Sequence, residues 1–120
     1  MANLDLHNLF SALGDPTRLA IVERLLREKE CTAGQLAEPF SMSKPAISRH
    51  IKVLEETGLI ERRVEKQWRV CSIRADALRT IGDWFEENRR FWEASLDRLE
   101  TLMNERDAKN GALKREKKDG

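Results

Sequence analysis

The sequence predicts a mainly α-helical fold with one small β-hairpin. Apolar residues recur at helical spacing through residues 4–57 and again from Ala75 to about Arg106. Between these parts, two short runs of β-type residues, Leu59–Val64 and Trp68–Ile73, are joined by three polar residues. Hydrophobic residues make up 40% of the 120 residues, which is enough for one globular domain with its own core.

The first two helices have recognisable boundaries. Apolar side chains at helical spacing predict the first helix over Leu4–Leu13. Asp15 is a suitable N-cap for the second helix, because its carboxylate can accept a hydrogen bond from a backbone N–H group of the first turn. The expected buried stripe of the second helix is Leu19, Val22 and Leu26, widened by Ile21 and Leu25.

A short third helix and a longer fourth helix come before the hairpin. The third follows Thr32, and the fourth follows Ser43, a good N-cap, and stops at Thr57 and Gly58. Two helices joined by a tight turn and followed by a hairpin are the elements of a winged helix-turn-helix. We therefore expect this fold.

The charge of the chain is unevenly distributed. The net charge is only +1, but residues 41–74 contain eight Lys and Arg against four Asp and Glu, a local charge of +4. Residues 1–40 carry −2 and residues 75–106 carry −3. DNA phosphates are neutralised by a local cluster of basic residues, whatever the net charge of the whole chain. The sequence therefore predicts that residues 41–74 bind double-stranded DNA.

The fourth helix is the segment best suited to read DNA. Ile47, Ile51 and Leu54 recur on one side and are expected to attach the helix to the core. The basic residues lie elsewhere, mostly in the N-terminal half, which is the half that reaches base edges. Arg49 is the main candidate for base recognition, because a guanidinium can form two hydrogen bonds with guanine.

The candidate DNA contacts come from the fourth helix, the turn before it and the hairpin, which would act as the wing. Lys44 and Lys52 suit phosphates, and Ser48 suits a base or a phosphate. The complete predicted set is Ser41, Ser43, Lys44, Pro45, Ser48, Arg49, Lys52, Arg62, Arg63, Lys66 and Arg69.

The same residues allow other interpretations than DNA binding. A basic amphipathic helix on its own is more often a solvated surface, but here it is combined with a basic hairpin. The alternative prediction is a protein–protein interaction module built on a winged-helix scaffold, but such a module has no need of so many clustered basic residues. An enzyme is not expected, because we find no nucleophile–base pair, glycine-rich phosphate loop or carboxylate pair.

Two segments resemble the ArsR-type (arsenic-repressor-like) winged-helix regulators. They are DPTRLAIVERLL, residues 15–26, and SKPAISRHIKVLEETGLIERR, residues 43–63, followed by a wing. The resemblance covers roughly residues 6–100. It implies a homodimer whose two recognition helices bind a pseudo-palindromic operator, and it implies repression, often of the regulator's own operon.

The resemblance also shows what this chain lacks. Metal sensors of the family carry Glu-Leu-Cys-Val-Cys-Asp-Leu in the third helix, and with Leu36 as the shared final leucine the two cysteines fall on Thr32 and Gly34. Neither residue supplies the thiolate that thiophilic metals prefer. Residues 75–106 contain no His for the family's second, zinc-type site. We therefore expect a metal-independent member with no metal site and no cofactor.

The remaining candidate ligands are Cys31, Cys71, His7 and His50. We expect His50 to pack or bond locally. The two cysteines are expected to be ordinary, partly buried thiols, with redox sensing as the alternative, and the sequence does not decide whether they can form a disulfide. Two cysteines are too few for a disulfide framework, which favours the reducing cytoplasm.

The last helix carries more apolar surface than one small core can cover. Four large aromatic residues lie within residues 84–92, and leucines continue the apolar side. Trp84 and Phe85 are expected to fill the core in part, while the face from Phe91 onward meets a second copy. The family resemblance also places the dimer interface on the first and last helices. The expected interface residues are Leu6, Leu9, Phe10, Phe91, Trp92, Leu96, Leu99 and Met103.

We expect residues 1–106 to form one DNA-binding and dimerisation domain and residues 107–120 to form a flexible basic tail. No apolar run approaches the ~18 residues that span a bilayer, and the N-terminus has no signal-peptide pattern. The prediction is therefore a cytoplasmic protein without membrane partners. The sequence identifies no small-molecule effector.

Overall fold

The computed structural model describes the backbone of residues 4–119 and the side chains of residues 4–112. These residues form six helices and three strands. In chain order they are α1 (Leu6–Leu13), α2 (Pro16–Glu28), β1 (Glu30–Thr32), α3 (Ala33–Ala37), α4 (Lys44–Glu56), β2 (Ile60–Glu65), β3 (Trp68–Ile73), α5 (Ala75–Glu87) and α6 (Arg89–Asp119). The predicted winged helix-turn-helix is present, with one additional strand and with a break in the last helix.

The predicted starts of three helices are confirmed by their capping hydrogen bonds. The Asp15 carboxylate accepts a bond of 3.0 Å from the backbone N–H of Arg18, and the Ser43 hydroxyl accepts one of 3.3 Å from Ala46. Thr32 forms a capping box at the start of α3. Because each bond satisfies a backbone donor that the helix leaves unpaired, these caps determine where α2, α3 and α4 begin.

The wing is a three-stranded antiparallel sheet in the order β1-β3-β2. β2 and β3 are the predicted hairpin, and its two-residue turn lies between the paired residues Glu65 and Trp68. Strand β1 was not predicted; it pairs with β3 so that Cys31 lies opposite Cys71. Three residues are too few to show the alternation of polar and apolar residues that marks a strand in sequence. β1 is a strand because it pairs with β3, a distant segment.

One core connects the helices before the wing with the sheet and the start of α5. Its buried residues are Leu9, Ala12, Ile21, Val22, Leu25, Cys31, Leu36, Ile47, Ile51, Leu54, Leu59, Ile60, Cys71 and Ala77. The three predicted anchors of α4 are among them. The fourth helix is therefore held by its apolar side, as expected.

The predicted buried stripe of α2 is wrong in part. Val22 is buried, but Leu19 and Leu26 are 40% and 51% exposed. Ile21 and Leu25, which only widened the predicted stripe, lie at its centre. Successive residues of a helix are about 100° apart, so α2 is rotated slightly from the predicted orientation. The sequence of α2 contains two neighbouring apolar stripes, one with Leu19 and Leu26 and one with Ile21 and Leu25, and it is compatible with burial of either. Packing against the other helices decides which stripe is buried.

The predicted single last helix is divided at Asn88. The Asn88 side-chain amide donates a hydrogen bond of 2.9 Å to the Trp84 carbonyl, and the Trp92 indole N–H donates one of 2.9 Å to the Phe85 carbonyl. The Phe85 carbonyl thus accepts a side-chain donor where a continuous helix uses the backbone N–H four residues later. No proline or glycine marks this point in the sequence.

The chain forms two compact units, Met1–Asp83 and Trp84–Gly120. Helix α6 in the second unit continues well past the predicted end near Arg106. The flexibility of residues 107–120 stays a prediction, and Gly120 lies outside the described residues. Over residues 4–119, no helix combines the length and the apolar character required to cross a bilayer.

Candidate nucleic-acid interface

Helix α4 has one buried side and one exposed, basic side. Ile47 and Ile51 are each 1% exposed and Leu54 is fully buried. The exposed residues of the helix are Lys44, Pro45, Ser48, Arg49, Lys52 and Glu56. The structure therefore brings the five predicted contact residues of α4 together on its solvent side, where a DNA groove can reach them.

The start of α4 offers polar groups to an anion. The oxygen of Ser43 is occupied as the cap of the helix, but a hydroxyl that accepts one bond can still donate its proton to another group. Ser41 is exposed in the preceding turn. The N-terminal end of a helix also attracts anions through its unpaired N–H groups and its dipole. This end of α4 is suited to a phosphate.

Two polar side-chain contacts connect α4 with neighbouring elements. Arg62 of β2 places its Nη2 atom 2.6 Å from Oε1 of Glu55. His50 places Nδ1 3.7 Å from Oδ2 of Asp15, the N-cap of α2. The pKa of Asp15 is lowered, chiefly by the hydrogen bond from the Arg18 backbone and further by nearby His50. His50 thus has a local partner, as predicted.

Neighbouring arginines of β2 lie on opposite faces of the wing. Arg62 is paired with Cys71, which is fully buried, so this inner face of the sheet points toward the core. Arg63 is the next residue and projects from the outer face, because side chains alternate along a strand. There Arg63 donates hydrogen bonds of 2.9 and 3.0 Å to Glu30 and one of 3.0 Å to Glu65.

The two faces of the wing consequently differ in charge. Arg69 is two residues from Cys71 on β3 and shares the inner face with it. The charged strand residues of the inner face are Arg62 and Arg69, and those of the outer face are Glu30, Glu61, Arg63 and Glu65. Arg69 therefore lies on the same face of the wing as Arg62, which contacts Glu55 of α4. Arg63 lies on the opposite face.

The tip of the wing carries Lys66. This residue begins the two-residue turn with φ 56°, in the left-handed region where glycine is usually favoured. Its side chain is exposed, as is that of Arg69. Lys66 thus places a positive charge at the outermost point of the hairpin.

Cys31 and Cys71 are free, buried thiols on paired positions of β1 and β3. The Cys31 thiol donates a hydrogen bond of 3.1 Å to Oε2 of Glu28. Burial, together with this bond, raises the pKa of Cys31 to about 11, and burial raises the pKa of Cys71 as well. Both are protonated at neutral pH, the less reactive form of a thiol. Within the described side chains, no three His, Cys, Asp or Glu are grouped to hold a metal ion.

The α1 residues predicted for a dimer interface lie in different environments. Leu9 has no exposed surface and belongs to the core of its own chain. Its assignment to the interface is therefore corrected, because a fully enclosed side chain cannot contact a second copy. Leu6 is half-buried and Phe10 is 37% exposed.

The residues predicted for the interface on α6 are mostly exposed. Phe91 is 73% exposed, and Leu96, Leu99 and Met103 are all more than half exposed. Trp92 is half-buried and contributes its indole to the bond with Phe85. Leu102, which was not in the predicted set, is also 60% exposed.

Comparison with known proteins links the sequence to regulators of transcription. Residues 13–63 match the family described as "Helix-turn-helix domain". Transcriptional repressor SdpR of Bacillus subtilis is 35% identical over 79 residues, which are 66% of this chain and 87% of that protein. HTH-type transcriptional regulator Rv2034 of Mycobacterium tuberculosis is 36% identical over 95 residues, which are 79% of this chain and 85% of that protein.

Solved structures agree with this result. An ArsR family transcriptional regulator, RHA00566, is 36% identical with a TM-score of 0.64 over 73% of this chain and 90% of its own. A possible transcriptional regulator for arsenical resistance is 35% identical with a TM-score of 0.63 over 79% of this chain and 94% of its own. Sequence and fold thus resemble the same group of proteins.

Proposed function

Since this chain belongs to the ArsR family of winged helix-turn-helix transcriptional regulators and is a DNA-binding repressor, we propose that it acts as a homodimer on a pseudo-palindromic operator. The observation that carries this proposal is the exposed basic side of α4, with its opposite side anchored in the core. In a two-fold-symmetric dimer, the two α4 helices enter successive major grooves of a two-fold-symmetric site. Repression follows where that site overlaps a promoter, including the promoter of the protein's own gene.

Helix α4 is proposed to supply both sequence reading and phosphate contacts. Arg49 is exposed near the N-terminal half of α4 and is assigned to a guanine edge, where its planar guanidinium forms two parallel hydrogen bonds. Ser48 lies beside it and is assigned to a base or a phosphate. Lys44 and Lys52 flank the pair and are assigned to phosphates, which set the position of the helix in the groove.

In the wing, we assign the DNA contacts to Lys66 and Arg69. Both are exposed, one at the tip and the other on the inner face. A lysine in a backbone conformation that suits glycine is strained, and strained residues concentrate at functional positions. Arg62 and Arg63 already bind carboxylates of the same chain, so we assign them to holding the wing in place.

The homodimer is proposed to form through exposed apolar side chains. Helix α6 presents Phe91, Leu96 and Leu99 to solvent, which is unfavourable for an isolated chain. Leu96, Leu99 and Met103 follow at spacings of three and four residues, the spacing of side chains that pack between two helices. Of the predicted interface residues on α1, Leu6 and Phe10 have exposed surface that a second copy can contact.

We propose that the family's third-helix metal site is not used by this protein. At the two cysteine positions of that site, the Thr32 hydroxyl accepts a bond of 3.2 Å from the Gln35 backbone, and Gly34 has no side chain. The neighbouring Cys31 thiol is protonated and bonded to Glu28. Stoichiometric arsenite, cadmium or zinc is therefore expected to leave operator affinity unchanged.

The domain limits and the cellular location are proposed from the role of the protein as a repressor. We propose that residues 1–106 suffice for DNA binding and dimerisation, with residues 107–120 as a basic extension. A repressor works where its operator is, so we propose the cytoplasm as its location.

The proposal is tested by a gel shift with DNA from upstream of the protein's own gene and with a shuffled duplex of the same composition. We expect selective binding that weakens steeply between about 50 and 200 mM salt, because each bound phosphate releases counterions. A nuclease footprint is expected to show two protected half-sites related by a two-fold axis, about one helical turn or a multiple of it apart. Equal binding to both duplexes would contradict a specific operator in this DNA, and no binding at low salt would favour the alternative of a protein–protein interaction module.

A further inference from the structure

A groove of about 630 Å³ lies on the outer face of the wing beside α3. Its lining residues are Thr32, Gly34, Gln35, Glu38, Glu65, Lys66, Trp68 and Val70. The groove exists because β1 ends at Thr32, opposite Val70, whereas β3 extends to Trp68. Beyond Thr32 the chain turns into α3 and leaves the space next to Trp68 open. This volume lies within the range of about 300–1,000 Å³ that is common for small-molecule sites.

The α3 wall of the groove is fixed before any ligand arrives. The Thr32 backbone N–H donates a bond of 2.9 Å to Oε1 of Gln35, and the Gln35 backbone N–H donates one of 3.2 Å to the Thr32 hydroxyl. This reciprocal pair of bonds limits the rotamers of both side chains. A preformed wall reduces the entropy that a ligand loses by ordering its site.

An exposed tryptophan is the main apolar surface of the groove. Trp68 is 54% exposed even though it lies in a strand, and Val70 beside it is half-buried. Tryptophan offers the strongest aromatic face for a cation and a broad surface for stacking a flat ring. The groove is therefore suited to a planar ligand.

The charges around the groove select the sign of that ligand. Glu38 lies on the α3 side and Glu65 on the β2 side, and Lys66 is the one basic residue among the eight that line it. The outer face of the sheet adds Glu30, Glu61 and Arg63 nearby, and Arg63 binds both Glu30 and Glu65. Because carboxylates outnumber basic groups here, this face repels phosphates and attracts cations. Its charge is opposite to that of Arg69, the inner-face residue proposed to contact DNA.

From these observations, we propose that the groove binds a planar organic cation, stacked on Trp68 with its charge toward Glu38 and Glu65. Resting on the proposed function, we further infer that the bound cation weakens DNA binding, because Lys66 is shared between the groove and the proposed DNA contacts of the wing. A positive ligand between the two carboxylates leaves less room for the Lys66 side chain and ties the wing tip to α3. The groove would then be the effector site of the repressor.

The binding step is tested without DNA, by two-dimensional NMR of the tryptophan indole N–H groups. The probe is N-methylquinolinium, compared with neutral quinoline and with the anion 1-naphthalenesulfonate. Trp68→Phe identifies the Trp68 signal by its loss and separates it from those of Trp84 and Trp92. We expect N-methylquinolinium to shift the Trp68 signal selectively, with affinity about tenfold above that of quinoline.

A matched pair of variants tests the role of charge. Glu38→Gln removes a carboxylate that lines the groove, whereas Glu61→Gln removes one from the same outer face outside the groove. We expect the first to weaken N-methylquinolinium several-fold and the second to leave it nearly unchanged. The proposal is overturned by shifts confined to Trp84 or Trp92, by no Trp68 shift at millimolar probe, by a sulfonate that binds as well as the cation, or by equal effects of the two variants.

The effect of the probe on DNA binding is measured in a separate experiment. A failure of the effector role can then be told apart from a failure of ligand binding. N-methylquinolinium is added to the operator complexes of wild-type protein and Trp68→Leu, and any direct action of the probe on DNA affects both complexes alike. We expect wild-type protein to release DNA at a probe concentration several-fold lower than the concentration that releases Trp68→Leu. Binding at Trp68 without this difference refutes the effector role alone, and a protein that binds no DNA but shows the Trp68 shift refutes the proposed function alone.

Discussion

Arg62 and Arg63 are adjacent in the chain, yet each is held by a carboxylate on a different face of the wing. Arg62 lies 2.6 Å from Glu55 of α4, whereas Arg63 donates two hydrogen bonds to Glu30 of β1. These carboxylates already offset the charge of both guanidinium groups, which makes each of them a weaker partner for a DNA phosphate. The pairings instead connect the wing to α4 on one side and across the sheet on the other, which leaves Arg69 as the wing arginine suited to contact DNA.

The first prediction compares the arginines on the two faces of the wing. We expect Arg69→Ala to weaken DNA binding and to reduce the salt slope by about 1, the effect of one lost phosphate contact. Arg63→Ala should instead lower the Tm modestly through loss of its bonds to Glu30 and Glu65, with little change in DNA affinity. Salt-dependent fluorescence anisotropy and thermal unfolding measure the two effects. An exchange of the two phenotypes would show that the outer face meets DNA.

The second prediction concerns base recognition by Arg49. Arg49→Ala is expected to cost about 1–3 kcal/mol of binding free energy and to relax base choice at one position of each half-site. Arg27→Ala on α2 removes the same charge from another exposed site and serves as the control. Competition against a set of singly substituted operators measures both quantities. If the two variants bind equally well and with unchanged base preference, the role assigned to Arg49 is wrong.

The third prediction separates core leucines from surface leucines. Leu54→Ala is expected to lower the free energy of unfolding by about 2–5 kcal/mol, because the side chain is fully buried and its removal leaves a cavity. Leu26→Ala, at a position first expected to be buried, should change it by no more than about 0.5 kcal/mol. Urea denaturation of both variants at one protein concentration gives the comparison. A large loss for Leu26→Ala would restore the predicted orientation of α2.

The fourth prediction is a loss of stability at alkaline pH. The fold raises the pKa of Cys31 to about 11 by burying the thiol and bonding it to Glu28. Folding therefore favours the protonated thiol, so its contribution is complete below the unfolded pKa of about 8.5 and is lost as the pH rises toward 11. The free energy of unfolding, measured from pH 8 to pH 11, should fall more steeply for wild type than for Cys31→Ala. Parallel curves would contradict this prediction.

The fifth prediction tests the apolar side of α6 as a dimer interface. Leu99→Glu should shift the protein from dimer to monomer in light scattering, because it places a charge among exposed apolar side chains. Thr101→Glu adds the same charge two residues away, about 200° around the helix, and is expected to leave the dimer intact. Operator binding should weaken only with Leu99→Glu. A dimer that persists in both variants would place the interface elsewhere.

Local signals in the sequence were sufficient to locate most elements of this fold. Asp15 and Ser43 cap the helices that they were predicted to cap, and Thr32 caps the short helix that was predicted to follow it. The sides of α4 were also predictable, since Ile47, Ile51 and Leu54 form a single apolar stripe with polar residues around it. Each of these signals acts within about one helical turn, so it is visible in a short stretch of sequence.

Each feature that was missed depends on a contact that reaches beyond one turn of a helix. Glu30–Thr32 becomes a strand only by pairing with β3. Leu9 is enclosed by elements that follow it, and the break at Asn88 depends on the indole of Trp92 reaching back to Phe85. None of these contacts has a local signature that separates it from its alternatives.

By itself, then, the sequence determined the order of the helices, the exposed basic side of α4 and the winged architecture. Only the tertiary structure decided that Arg62 and Arg63 serve opposite faces of the wing and that a groove opens beside Trp68. The physical reason is that strand register and helix rotation are set by packing across the whole core, whereas capping and amphipathicity are set by neighbouring residues.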